Sequence, residues 1–510
     1  VNKQKIYALA VAGLIAFSAQ AGNIDTAKRF SVTNALGNNM VVQQGKPLKI
    51  WGKAPAGDVI ELNADWGKSA KTTAGADGKW LAEIKVPSAK RGDFKPHTIT
   101  IIHKKASGSN IVTDNLRFTN VLIGDVWFAS GQSNMELRIA AVPGWSSGIK
   151  DFEKEVPLTN YPNIRLFKSD MGIDFTPQDT IKGGKWEVCS PKTAAGFSAV
   201  AYFFGRELYN KRQIPIGLVD QAIPATAAQN FTDINVLLAD SILKKKYVDP
   251  YAKAVDSIKA KNDKATTLAS LTYPGLVYNK MICPFQDLSV KGFIWYQGES
   301  NNLDSTLYTH LSTAMLQSWR KDFEQGDLPF YFVQMTPYKW NNNDSTANWY
   351  AKFREAQEAI LKVKNTGMAV TMDIGEPDNI HPLNKKDVGV RLGKIALAKT
   401  YGEDVIYEGP HFKSFKVYGS SVTVQFVKSS IAGGLKTNDR MAPKYFYLAG
   451  ADKRFYKADA KIVNNQIVLT SQQVQKPVAV RYAFTNFPVT NLSNGAGLPA
   501  VPFRTDNWTN

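Results

Sequence analysis

Val121-Leu-Ile-Gly-Asp-Val-Trp-Phe-Ala129 is a near-continuous apolar run, followed at once by Ser130-Gly-Gln-Ser-Asn-Met135. A strand with one wet face alternates apolar with polar residues. This run hardly alternates, as expected of a strand buried on both faces. Similar runs recur at residues 164–167, 216–219, 292–296, 329–335 and 368–372. Between them lie helical patterns at 198–212, 306–323, 349–364 and 385–401, the first with Ser198 as a plausible N-cap. Strands alternating with amphipathic helices predict an α/β fold with a parallel sheet.

Outward from this core the pattern becomes β. Pro47-Leu-Lys-Ile-Trp-Gly52, Asp58-Val-Ile-Glu-Leu62, Trp80-Leu-Ala-Glu-Ile-Lys-Val86 and His97-Thr-Ile-Thr-Ile-Ile102 are short strand candidates separated by turn residues. Their regular spacing predicts an N-terminal β-sandwich over residues 22–117. An α/β unit follows at 118–408, with no linker near residue 118. The turn at Gly409-Pro410 then opens a C-terminal β-rich region, 409–510.

The chain has 62 Lys+Arg against 44 Asp+Glu, a formal charge of +18. The lysines are spread along the whole length, the densest run being Lys244-Lys245-Lys246 in a charged helical stretch. No nucleic-acid-binding signature accompanies them, so the charge reads as a basic, soluble surface. Two cysteines, Cys189 and Cys283, exclude a disulfide-stapled scaffold and a four-cysteine zinc module. A bridge between them is possible, although Cys283 reads as a small buried hydrophobe. Lys3 and Lys5, the apolar run 6–17 and Ala19-Gln20-Ala21 form a leader pattern over 1–21, which predicts export, a bacterial periplasm being a fitting destination. No later run of about 18 apolar residues predicts membrane insertion.

Three segments carry chemistry. Ligands of an open parallel sheet sit at the carboxyl ends of its strands. Ala129-Ser-Gly-Gln-Ser-Asn-Met135 stands at such an end, where Gly131 permits a sharp turn and Ser133 emerges. Read alone, Ser133 could equally be an N-cap. Asp378-Asn-Ile-His-Pro382 follows another strand and offers a base, His381, with a carboxylate three residues before it. Read alone, Asp378 could equally cap the next helix. His97, His103, His310 and His411 lack this context. Ile294-Trp-Tyr-Gln-Gly-Glu-Ser-Asn301 ends a third strand, with the Gln297 amide and a buried Glu299 carboxylate.

Taken together, these segments resemble the sialate O-acetylesterase family of the SGNH-hydrolase superfamily. The resemblance extends over nearly the whole chain. It includes Met40-Val-Val-Gln-Gln44, Gly124-Asp-Val-Trp-Phe-Ala-Ser-Gly-Gln-Ser-Asn-Met-Glu136, and Phe197-Ser-Ala-Val-Ala-Tyr-Phe-Phe-Gly-Arg-Glu-Leu208. Further on it includes Gly292-Phe-Ile-Trp-Tyr-Gln-Gly-Glu-Ser-Asn301, His381-Pro-Leu-Asn-Lys385 and Gly497-Leu-Pro-Ala-Val-Pro-Phe-Arg-Thr-Asp506. It implies a flavodoxin-like catalytic sheet with added β domains, Ser133 as nucleophile, His381 as base and Asp378 as orienting acid. Gln132, Ala225, Gln297, Gly298, Glu299 and Asn301 are the candidates for oxyanion and substrate binding. One departure stands out. Where the family has a Gly-Gly-Thr turn, this chain has Pro224-Ala225-Thr226. Proline has no N–H. The oxyanion donor is lost if Pro224 stands at its position and kept if Ala225 does.

The implied reaction is removal of O-acetyl groups from sugars, O-acetylated sialic acids first and acetylated plant polysaccharides such as acetyl-xylan second, with no metal or organic cofactor. Trp145, Tyr338 and Trp340 are candidates for sugar stacking, with buried packing as the alternative for each. Two other classes compete. A glycosidase would pair Glu299 with Asp378, leaving the Ser133 segment without a role. A non-catalytic sugar-binding protein would suit the flanking β regions. The oligomeric state is not legible in the sequence.

Overall fold

Strand Val112–Gly131 ties the molecule together. Its first half pairs antiparallel with His97–Lys104, and Leu122 to Gly124 then pair parallel with Val41–Gln43. From Asp125 onward it pairs parallel with Ile216–Ala222 on one side, and from Trp127 with Gly292–Tyr296 on the other. One strand therefore serves both the N-terminal β region and the central sheet, and passes residue 118 unbroken. The structure is a computed structural model and describes residues 29–106, 112–144, 146–340, 344 and 346–508. The leader pattern at 1–21 and Trp145 lie outside the described residues.

The central sheet runs Trp186–Cys189, Tyr161–Lys168, Ile216–Ala222, Val112–Gly131, Gly292–Tyr296, Phe330–Val333, Thr366–Ala369. All neighbours are parallel except Trp186–Cys189, which is antiparallel at one edge. Counted from Val112–Gly131 and setting the two outermost strands beside Ile216–Ala222 apart, the spatial order is second, first, third, fourth, fifth. The order reverses beside the long strand, and such a reversal opens a crevice at the carboxyl ends.

Helices cover both faces because successive residues of a strand point to opposite sides. Trp127 meets Phe204 of helix Ala199–Arg212, with ring centroids 5.0 Å apart. Its neighbour Phe128 meets Trp319 and Phe323 of helix Ser305–Phe323 at 6.2 and 5.8 Å. Ser198 caps the first helix, its hydroxyl accepting from the Ala201 amide at 3.1 Å. The pattern read as one helix over 349–364 is helix Trp349–Glu358 followed by a 3-10 turn, Ala359–Lys362. The run at 368–372 pairs within the sheet only to Ala369. Beyond it, the Thr371 hydroxyl donates to the Gln334 carbonyl at 2.7 Å and the Met372 carbonyl accepts from the Thr490 amide at 2.9 Å. Lys244 to Lys246 open a π turn, Lys244–Val248, rather than an α-helix.

The N-terminal region forms two small sheets. In Lys79–Lys85, Trp80, Ala82 and Ile84 point inward and the residues between them outward, and these three share one apolar core with Ile60, Leu62, Ile99 and Ile101 of the second sheet. The C-terminal region holds two four-stranded sheets and one two-stranded sheet. Cys189 and Cys283 are both free. Cys189 is buried at the end of the edge strand, where burial pushes its thiol up to about 12. No described helix is long and apolar enough to cross a membrane.

Helix Lys385–Lys399 lies against helix Ala199–Arg212 at unusually close range. A Cβ on Gly389 would stand 2.6 Å from both the Phe203 Cβ and the Val200 carbonyl oxygen. Backbone cannot yield there as a side-chain tip can. Gly389→Ala is therefore expected to cost about 1–3 kcal/mol, read by urea unfolding. Activity should also fall, because this helix begins just after His381. Unchanged unfolding in the variant would refute the close contact.

Candidate active site

The long strand delivers Ser133 through a turn that only glycine can make. Gly131 has φ +142°, and a Cβ there would lie 2.2 Å from the Tyr296 carbonyl oxygen. The turn is closed by Gln132 N–H donating to that same carbonyl at 3.0 Å and by Ile223 N–H donating to the Gly131 carbonyl at 3.0 Å. Ser133 then opens a single helical turn, Ser133–Glu136, anchored by the Ser198 hydroxyl on the Met135 carbonyl at 2.6 Å.

The base arrives on the loop after the fifth strand. Glu376 organises this loop, accepting from the Leu383 amide at 2.8 Å and from Asn379 Nδ2 at 2.9 Å. Asn379 Oδ1 in turn accepts from the His381 amide at 3.0 Å. The outcome is His381 Nε2 at 2.8 Å from Ser133 Oγ. Burial, and then the nearby Lys385 ammonium, hold His381 down to about 4, against the opposing pull of Glu136. The imidazole is thus neutral at ordinary pH, and a neutral Nε2 can accept the serine proton.

Asp378 is not part of this contact. Its side chain is 76% exposed and its carboxylate pairs with Lys339 from the neighbouring loop. The expected Asp378–His381 pair is therefore not formed in this structure: an ammonium within reach and full hydration hold the carboxylate outward. The expectation that Gln297, Glu299 and Asn301 line the substrate site also needs correcting, since all three are buried and engaged. Gln297 Nε2 donates to the Thr226 carbonyl at 3.2 Å and to Asn301 Oδ1 at 2.8 Å, leaving no amide proton for an oxyanion. Asn301 Oδ1 also accepts from the Ala228 amide at 2.9 Å. Gln132 Oε1 accepts from the Gly298 and Ser300 amides at 3.2 and 3.3 Å. These residues lock the third segment to the nucleophile's turn and to the Thr226–Ala228 backbone. Tyr338 and Trp340 pack edge to face at 5.1 Å, and Trp340 continues onto Tyr350 at 5.5 Å. Among the described residues no group of three or more His, Cys, Asp or Glu is clustered as metal ligands are.

Two residues of the site escaped the sequence reading. Asn134, next to the nucleophile, is fully buried and meets Lys385, Glu299 and the Ile380 carbonyl. Lys385 carried a signal. It is the first residue of its helix, where a positive charge opposes the helix dipole, so its presence there asks for a partner.

The Pro224-Ala225 turn follows Ile223, whose amide bonds the Gly131 carbonyl, and the Ser300 hydroxyl donates to the Ala225 carbonyl at 3.0 Å. Ala225 has φ +61°, the left-handed region that favours glycine. Ala225→Gly is expected to keep its amide in place, retain activity and change stability by less than about 1 kcal/mol. Ala225→Val should destabilise, since a β-branched residue tolerates that φ worst. Equal thermal unfolding of Ala225→Val and wild type would contradict the left-handed turn.

Residues 123–402 match the family described as carbohydrate esterase, sialic acid-specific acetylesterase. The chain is 26% identical to the sialate O-acetylesterase of Mus musculus, over 93% of this chain and 94% of that protein. It is 27% identical to the sialate O-acetylesterase of Homo sapiens, over 75% of this chain and 73% of that one. Among solved structures, a carbohydrate acetylesterase from Xanthomonas citri superposes with a TM-score of 0.79 and 32% identity, covering 94% of this chain and 100% of that one. A serine and a histidine in contact at the crevice of a parallel sheet are the parts an esterase requires, and the chain belongs to the sialic acid-specific acetylesterase family of carbohydrate esterases.

Proposed function

We propose that this protein removes O-acetyl groups from sialic acids by a serine mechanism on a flavodoxin-like sheet. The observation that carries the reading is the 2.8 Å contact between His381 Nε2 and Ser133 Oγ beside the crevice. The strand order supports the flavodoxin-like description, with the nucleophile turn on one strand of the switch point and Gln297-Gly298-Glu299 on the other.

Ser133 Oγ attacks the acetyl carbonyl as His381 Nε2 takes its proton. The amides of Ser133 and Ala225 donate to the oxyanion. The intermediate collapses, and the sugar oxygen leaves with the proton from His381. Water then repeats the sequence on the acyl-serine and acetate departs. Asp378 is proposed as the carboxylate that orients His381 during turnover, since it lies three residues before it on the same loop; for this it must leave Lys339.

Acetate release from O-acetylated sialic acid, with acetyl-xylan run alongside, tests the reading. Ser133→Ala should lower turnover by about 10⁶-fold and abolish fluorophosphonate labelling. Release from acetyl-xylan but not from the sialic acid would move the substrate to plant polysaccharides. Esterase activity intact in Ser133→Ala would remove the mechanism.

The acid limb of kcat, which reports the enzyme–substrate complex, tests Asp378. A carboxylate at Nδ1 favours imidazolium and raises the histidine pKa. Activity needs neutral His381, so it rises with pH through that pKa. In wild type the limb should lie above 4. In Asp378→Asn it should fall toward about 4, the value the resting surroundings give His381, while kcat drops by up to about 10⁴-fold. A loss below about tenfold with an unmoved limb would make the working centre a Ser133–His381 pair.

A further inference from the structure

Asn134 is a buried amide held between two opposite charges. Its Oδ1 accepts from Lys385 Nζ at 2.5 Å. Its Nδ2 donates to the Glu299 carboxylate and, at 3.0 Å, to the Ile380 carbonyl. An ammonium can only donate and a carboxylate can only accept. The two charges therefore permit one orientation of the amide, and that orientation aims an N–H at Ile380. Ile380 immediately precedes His381, and Asn134 immediately follows Ser133. A single side chain thus joins the nucleophile's turn to the base's loop.

We propose that Lys385 and Glu299 are positioning residues that fix the Asn134 amide so that it holds the Ile380 carbonyl, and through it His381, against Ser133. The inference rests on the serine mechanism proposed above. The arrangement is costly for a structural filler. Burial pulls Lys385 down to about 7, against Glu299 and Glu376, and pushes Glu299 up to about 7. Glu299 Oε2 has no hydrogen-bond partner among the described residues. Apolar residues of the same volume often serve stability as well or better than a buried charge pair. What they cannot do is orient an amide. Lys385 also stacks over Tyr296, its Nζ 5.5 Å from the ring centre, which leaves the ammonium little freedom.

The charged groups acting on His381 are Lys385, which disfavours imidazolium, and Glu136, which favours it. Lys385→Met removes the charge and the donor while keeping the length. Its kcat should fall by up to about 10²-fold with KM nearly unchanged, the size of effect expected of a small misplacement of reacting groups. Its acid limb of kcat/KM should move up, because the cation opposing imidazolium is gone. Asn134→Asp keeps the shape and a partner for Lys385 but removes the donor to Ile380, and should lose kcat similarly. In Asn134→Ala/Lys385→Met the two losses should not add, since Lys385 acts through Asn134. Circular dichroism and thermal unfolding establish that each variant is folded, and Asn134→Asp decides the question if Lys385→Met is not. Full kcat with an unmoved limb in Lys385→Met, full kcat in Asn134→Asp, or additive losses would overturn the proposal. An inactive wild type would instead defeat the esterase reading itself. Activity that needs Ser133 but ignores Lys385 would defeat only this one.

Discussion

Gly131 and the Tyr296 carbonyl are the constraint from which the rest of the site follows. The long strand is hydrogen-bonded on both sides up to this residue, between Ala222 and Tyr296. It must then leave the sheet without a gap in either ladder. With no Cβ, Gly131 can pass close beside Tyr296, where a Cβ would stand 2.2 Å from the carbonyl oxygen, at a φ of +142°. The next amide closes onto the same carbonyl. Ser133 consequently stands at a height set by two strands rather than by a loop. The 20-residue strand is in turn held at its other end by the N-terminal sheet, so the nucleophile's position depends on packing far below it.

Charge inside the site is arranged in two groups with different work. Under the nucleophile's helical turn, Lys168 meets Glu136 at 3.1 Å and Asp220 at 3.0 Å. Burial pulls the Lys168 ammonium toward neutrality, but these two carboxylates outweigh it and hold the proton on. Behind the base, Lys385, Asn134 and Glu299 form the second group. Glu136 belongs to the first group yet favours a charged His381, while Lys385 of the second opposes it. The imidazole sits between the two, and burial, aided by Lys385, leaves it neutral. A neutral imidazole is what an esterase needs before its substrate arrives.

The fold was legible where a strand had no choice of environment. The runs at 216–219 and 292–296 are strands because both faces are covered, and apolar residues show this without regard to period. Ends were less legible. The fifth strand stops pairing at Ala369 because Met372 bonds to Thr490, more than a hundred residues away. No local pattern announces that partner. The contact of Ser133 with His381 was readable because both follow strand ends of one parallel sheet. The roles of Gln297 and Asn301 were not. An amide at a strand end looks alike whether its protons face a ligand or a neighbouring turn, and only the Thr226 and Ala228 backbone decides.

Asp378 and Asn134 mark the opposite mechanical extremes of the base's loop. The Lys339–Asp378 pair stands in water, its carboxylate side chain 76% exposed. Exposed pairs contribute about 0–1 kcal/mol, so thermal motion opens them readily. The Asn134 contacts are buried and charge-assisted, and removing one partner of such a set costs about 3–5 kcal/mol. The loop is therefore pinned at Ile380 and free at Asp378. With Nε2 committed to Ser133, rearrangement around the base can occur only on its Nδ1 side. Any change in how strongly His381 holds a proton during turnover must come from there, and the nucleophile need not move for it to happen.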